Sequence, residues 1–205
     1  MKKRGRFITF EGIDGSGKST NLSWLAGQLQ LLKHKVVQTR EPGGTPFGER
    51  ARDLLLATPM PTLAETLFFA SIRAAHVEQV ILPALEAGAW VLCDRFLDAT
   101  WAYQGGGRGV HDEVIGVLEA ISTFGLRPDL TFFLDGPEDV LLLRAKEKNR
   151  FEEEGPDFFS KVRAKYLERV EKDPARFCVL DATLCLGETQ GNIAGAMLSR
   201  FGVRI

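Results

Sequence analysis

The chain of 205 residues is short of cysteine, of long apolar runs and of net charge, and each shortage excludes something. Cys93, Cys178 and Cys185 are odd in number and show no CxxC spacing, so neither a disulfide framework nor a structural zinc site is expected. A reducing cytoplasm is the expected setting, and the cysteines read as small buried hydrophobes. No apolar stretch approaches the roughly 20 residues that a membrane-crossing helix needs. The basic start, Lys2, Lys3, Arg4 and Arg6, is followed only by Phe7 to Phe10 before Glu11, too short an apolar core for an export signal. With 26 Lys and Arg against 27 Asp and Glu, the net charge is −1, which argues against a nucleic-acid binder and makes any basic site local. His34, His76 and His111 form no metal-ligand spacing such as HExxH and read as surface or packing residues.

What is present is the composition of a packed soluble domain, 44% hydrophobic and 26% charged. Without a repeat, a low-complexity tract or a shift in composition, residues 1–205 are read as one domain. Short apolar runs alternate with helical spacing, the signature of βαβ units. Strands are expected over 6–11, 36–40, 90–94, 130–135 and 177–181. Leu22, Leu25, Leu29 and Leu32 share one face of a helix between the first two. A long helix is expected over 62–87, kinked or broken by Pro83 and stopped at Gly88. Asp112 is expected to cap another, with Ile115, Leu118 and Ile121 as its apolar stripe and Gly125 as its stop. Residues 138–148 and 158–172 are helical by pattern, and the charged piece 149–157 between them has the look of a lid.

The strongest chemical signal is Gly12-Ile13-Asp14-Gly15-Ser16-Gly17-Lys18-Ser19, a full GxxxxGK[ST] pattern between a strand and a helix. Such a loop turns its backbone N–H groups toward phosphate oxygens and adds the positive end of the following helix. Lys18 would reach the β- and γ-phosphates, and the Ser19 hydroxyl would sit on Mg²⁺. Asp94 closes an apolar strand, where a carboxylate serves magnesium or its water shell, and Arg95 beside it could clamp a phosphate. An ordinary Asp–Arg surface pair is the plainer alternative.

The remaining signals are weaker and each keeps a plain reading. Arg40-Glu41-Pro42-Gly43-Gly44 reads alone as a turn. Phe69 and Arg73, four apart on a helix, could stack a base and reach its polar edge, or be a core ring and a solvated cation. Gln104, in Thr100-Trp101-Ala102-Tyr103-Gln104-Gly105-Gly106-Gly107, carries an amide able to read a pyrimidine edge, or lies in a flexible surface loop. Arg144 and Arg150 border the lid, and an arginine brought by a lid would neutralise charge on a transferring phosphoryl group.

In this order the motifs resemble the bacterial thymidylate kinase family: Phe10 to Thr20, then Arg40 to Thr45, then Phe69 with Arg73, then Asp94-Arg95-Phe96, then Ala102-Tyr103-Gln104-Gly105. The resemblance implies a P-loop kinase fold, a five-stranded parallel sheet flanked by helices with a small lid at about 144–157. It implies transfer of the γ-phosphoryl group of ATP to dTMP with Mg²⁺, on the route to dTTP, by a homodimer that acts on small nucleotides. Gly12, Ile13, Asp14, Gly15, Ser16, Gly17, Lys18, Ser19 and Thr20 would hold ATP. Asp14 would also contact the sugar 3′-hydroxyl, and Arg95 the acceptor phosphate. Phe69 would stack on thymine with Arg73, Thr100 and Gln104 on its edge, Tyr103 would lie under the deoxyribose, and Arg52 near the nucleotide. Ser19 and Asp94 would serve the metal. The family's Asp-Arg-Tyr/His element ends here in Phe96. The P-loop lacks the arginine that one subtype carries, so Arg150 is the expected catalytic arginine, with Arg144 nearer the adenine. Another P-loop nucleoside or nucleotide kinase is the nearest alternative. A regulatory P-loop NTPase is the more distant one, and no [NT]KxD guanine-reading element is present.

Overall fold

The computed structural model describes residues 4–144, 151 and 154–205. Five strands form one parallel sheet in the order β2-β3-β1-β4-β5: β1 Phe7–Glu11, β2 Val36–Arg40, β3 Trp90–Asp94, β4 Leu130–Asp135 and β5 Phe177–Asp181. The expected strands are therefore all present, the first starting one residue later than expected. Being buried on both faces, β1, β3 and β4 are near-continuous apolar runs, which is what makes them legible. Helices α1 Lys18–Leu31, α2 Pro46–Ala57, α3 Thr62–His76, α4 Leu82–Glu86, α5 Leu97–Thr100, α6 Asp112–Thr123, α7 Glu138–Leu142, α8 Pro156–Lys172 and α9 Leu186–Phe201 connect and flank them.

Two apolar cores lie against the sheet. One gathers Ile8 and Phe10 of β1 with Leu22, Leu25 and Leu29 of α1, Val162 and Tyr166 of α8 and Ile193 of α9. The other joins Phe7, Val91 and Cys93 to Ile81, Leu85, Phe96 and Ile115. The chain leaves β1 toward β2 on one side and reaches β4 on the other. The carboxyl ends of β1, β3 and β4 thus border the crevice where open α/β sheets place ligands.

Several local expectations are corrected. The helix over 62–87 is not one α-helix broken at Pro83: it widens into an i→i+5 turn at Val77–Ile81 and resumes as α4 with Pro83 in its first turn, where a missing N–H costs nothing. Asp112 does not cap α6. It is the first helical residue, and its carboxylate instead accepts from Lys165 at 2.8 Å. Of the α6 stripe only Ile115 is buried; Ile121 faces outward, as does Leu32 beyond α1. Cys93 is buried, but Cys185 is exposed, and all three thiols are free. The helix expected over 138–148 is described only as Glu138–Leu142 and a following turn, its residues 145–148 lying outside the described ones.

The stretch around Gln104 is not a flexible surface loop, the plainer of its two readings, but a wide helical turn, Trp101–Gly107, continuing α5. Its glycines provide closeness: a Cβ on Gly106 would lie 2.7 Å from the Lys161 carbonyl, and one on Gly107 would lie 2.3 Å from the Phe158 ring, both in α8. α8 is fastened a second time through Asp98, fully buried, which accepts from Arg169 at 3.0 Å and from Arg176 at 2.6 and 3.0 Å. Burial alone would raise the Asp98 pKa, but the two guanidinium groups outweigh it and hold the carboxyl below its ordinary value. Asp98→Ala strands a buried arginine and should cost about 3–5 kcal/mol, read as a lowered denaturation midpoint; an unchanged midpoint would show that the pair contributes nothing net.

Candidate active site

The loop after β1 forms from glycine where other residues would be strained: Gly12, Gly15 and Gly17 have φ of 138°, 79° and 88°, and a Cβ on Gly12 would lie 2.5 Å from the Leu134 carbonyl. Lys18 and Ser19 open α1. Lys18 Nζ donates to the Ile13 carbonyl at 2.9 Å and stands 3.6 Å from Asp14. Burial, with Arg95 adding repulsion, lowers the Lys18 pKa. Ser19 Oγ donates to Asp94 Oδ2 at 2.5 Å, so a hydroxyl and a carboxylate converge beside the loop. Two hard oxygen donors of this kind, with room left for water and phosphate, fit Mg²⁺. Among the described residues no cluster of three or more His, Cys, Asp or Glu forms a protein-only metal cage.

Arg95 sits in a left-handed conformation, φ 65°, just past β3. Its backbone N–H donates to the Phe10 carbonyl, and its guanidinium to Asp14 at 2.6 Å and to the Gly12 carbonyl at 2.8 Å. Burial opposes charge on both partners, but each stabilises the other. Asp14 is therefore held well below the usual carboxylate range, and Arg95 well above its own.

Beside this pair opens a pocket of about 610 Å³, its open mouth included, which brings together Asp14, Arg52, Phe69, Arg73, Arg95, Thr100, Tyr103 and Gln104. All eight are residues singled out in the sequence. Arg73 is not a solvated cation: it is buried, donates from Nε to Glu41 at 2.7 Å, and from Nη2 to the Phe96 carbonyl at 3.1 Å and Thr100 Oγ1 at 2.9 Å. Gln104 Nε2 donates to Glu65 at 3.0 Å. The Tyr103 hydroxyl is buried without a hydrogen-bond partner among the described residues, its ring lying 5.0 Å under the Arg95 guanidinium carbon. Burial pushes that phenol's pKa up. Arg52 Nη1 donates to the Pro42 carbonyl at 3.0 Å.

Arg144 stands apart from that pocket and donates to the Ala182 carbonyl beyond β5 at 2.7 Å. Arg150 lies outside the described residues. Of the stretch 144–157, Phe151 lines the pocket with its ring 6.2 Å from both Phe69 and Tyr103, and Glu154 pairs with Arg108 at 2.5 Å.

Four acidic or aromatic partners were missed in the sequence. Glu41 looked like part of a plain turn, yet it is buried in the pocket wall. Phe151 had no signal beyond its place in the lid stretch. Glu11 and Tyr166 sat in segments read as strand and helix only. Glu11 is fully buried, accepts from the Phe96 N–H at 2.8 Å and from the Tyr166 hydroxyl at 2.9 Å, and so fixes the chain just past Arg95. Burial first, and then the nearby Asp98 charge, push its pKa from 4.5 to about 7.

The folded chain thus keeps a proton on Glu11 that the unfolded chain releases, and stability declines as pH rises between 4.5 and about 7. Glu11→Gln should flatten that decline. Melting temperatures at about pH 5 and about pH 8 test it, and an equal drop in variant and parent would contradict the assignment.

The comparisons agree with this geometry. Residues 10–193 match the family model described as Thymidylate kinase. A "Thymidylate kinase" of Neisseria gonorrhoeae is 48% identical over 202 residues, covering 96% of this chain and 98% of that protein. One of Pseudomonas putida is 51% identical over 195 residues, covering 92% and 93%. The crystal structure of thymidylate kinase from Ehrlichia chaffeensis superposes with a TM-score of 0.80 at 34% identity, over 95% of this chain and 98% of that one. With a P-loop, a strand-end Asp-Arg pair and a base-sized pocket arranged on one sheet edge, and with relatives this similar over nearly their whole length, the chain belongs to the thymidylate kinase family.

Proposed function

We propose that the protein transfers the γ-phosphoryl group of ATP to dTMP, giving dTDP and ADP. The observation that carries this reading is the placement of Arg95. Its guanidinium bonds the P-loop at Gly12 and Asp14 while lining the adjoining pocket, so a single cation stands where donor and acceptor phosphates meet. The two nucleotides repel, and Lys18 and Arg95 supply the offsetting charge. Phe69 stacks on the base, Arg73, Thr100 and Gln104 read its edge, and Tyr103 closes the space under the sugar. Asp14 receives the 3′-hydroxyl. Gly12 to Thr20 wrap the ATP phosphates, and Arg144 lies toward the adenine. Ser19 and Asp94 would hold Mg²⁺, which when bound neutralises charge on the ATP phosphates. The stretch of about 144–157 acts as a lid within the single domain and brings Arg150 to the transferring group, keeping water out.

The protein acts as a homodimer in a reducing cytoplasm. α3 packs between α2 and α6, and the outer face of this layer leaves Leu63 56%, Val117 59%, Ile121 65% and Phe124 58% exposed. Apolar side chains at helical spacing across two packed helices suit a second copy of the same surface. No described helix is long and apolar enough to cross a membrane.

Lys18→Ala and Arg95→Ala should each lower kcat/KM by at least about 10²-fold, and Arg150→Ala should lower kcat by about 10³-fold with little change in the KM for ATP. A coupled assay with dTMP, dUMP, dCMP and thymidine measures all three and the acceptor preference together. Near-parental rates in Lys18→Ala or Arg95→Ala, or faster turnover of another acceptor, would overturn the reading. Ile121→Glu should convert the dimer to monomer in sedimentation, and an unaltered mass would place the interface elsewhere.

A further inference from the structure

Behind Arg73 lies a chain of side chains that touches no part of the acceptor pocket beyond Glu41. The Arg73 Nε–H donates to Glu41 Oε2 at 2.7 Å. The other carboxylate oxygen, Oε1, lies 3.0 Å from His76 Nδ1. On the far side of the ring, His76 Nε2 lies 2.6 Å from Thr39 Oγ1. A carboxylate only accepts, so the tautomer that satisfies every contact carries its hydrogen on Nδ1 and accepts the Thr39 hydroxyl proton at Nε2. All donors then point one way, from Thr39 through His76 to Glu41, with Arg73 closing on Glu41 from the opposite end. His76 is fully buried one helical turn after Arg73, and Thr39 lies on β2.

The packing leaves this ring no freedom. A Cβ on Gly44 would stand 2.4 Å from both His76 Cδ2 and Nε2, so the Gly43-Gly44 turn closes directly over the imidazole. With Nε held by Glu41 and Nη2 held by the Phe96 carbonyl and Thr100, the guanidinium plane of Arg73 is fixed on two edges. Among the described residues its remaining nitrogen, Nη1, makes no hydrogen bond, and Arg73 lines the pocket where the pyrimidine edge would lie.

We propose that His76 is a positioning residue for acceptor choice: by holding Glu41 it fixes the plane of Arg73, so that the pocket presents an N–H donor to a base with an oxygen at position 4. A 4-amino pyrimidine offers a donor there and meets donor with donor. The inference rests on the reading of Arg73 as a base-edge contact. A freely swinging guanidinium would still bind a monophosphate but would lose discrimination, because its donors could turn away from a mismatched edge.

The test uses isosteres. An asparagine amide nitrogen overlays Nδ1 and keeps the bond to Glu41, whereas a glutamine amide overlays Nε2 and keeps only the Thr39 side. His76→Ala and His76→Gln should raise the KM for dTMP about five- to tenfold, with kcat and the KM for ATP within about twofold, and should shrink the dTMP to dCMP preference by a similar factor. His76→Asn should recover both to within about twofold. A residue that merely filled space would treat Asn and Gln alike, so equal behaviour of the two overturns the proposal, as does an unchanged KM for dTMP in His76→Ala. Arg73→Ala serves as the reference. If it leaves the KM for dTMP unchanged, the base-edge reading falls and the inference with it. If it raises that KM while His76→Ala does not, only the inference falls. Should His76→Ala not fold, Thr39→Val removes the far end of the same chain and is read by the same ratio.

Discussion

A binding site for a nucleoside triphosphate and a monophosphate must concentrate positive charge, and a folded chain cannot bury that charge unaccompanied. The pairing of guanidinium with carboxylate is the constraint on which the rest of this molecule depends. Arg95 is held by Asp14, Arg73 by Glu41, Arg163 by Asp135, and Arg169 and Arg176 by Asp98. Removing either member of such a pair costs far more than the pair adds, so each acid locks the geometry of its arginine as firmly as packing does.

The strain in the site has the same origin. Arg95 takes a left-handed conformation usually left to glycine, which costs about 1–2 kcal/mol. The bonds that hold it there come from its neighbours: its own N–H reaches Phe10, and the next N–H, on Phe96, reaches Glu11. Glu11 is in turn held by Tyr166 of α8. The conformation lets the guanidinium turn back over the P-loop instead of continuing along β3, so the backbone cost serves placement of the head group.

The sheet was legible in the sequence because buried parallel strands must be apolar throughout, and the P-loop because only glycine accepts its dihedral angles. Phe69 and Arg73 were placed on one helix face by spacing alone, but nothing in that spacing told a buried arginine from a solvated one. The difference lies in Glu41, distant in sequence and disguised by the proline and glycines after it. Likewise, Pro83 signalled a kink or a break in the long helix but not the i→i+5 turn that stands just ahead of it at Val77–Ile81. Long-range partners, together with α2, α9 and the wide turns at Val77–Ile81 and Trp101–Gly107, were what sequence pattern did not supply.

Three consecutive glycines, 105 to 107, would ordinarily mark a stretch that tolerates lengthening and lets neighbouring parts drift. Here they do the reverse. By letting α8 come to within a backbone's width of the helical turn that bears Tyr103 and Gln104, they fasten one wall of the pocket to that helix. A side chain added at Gly106 or Gly107 would push α8 outward and take one wall of the pocket with it.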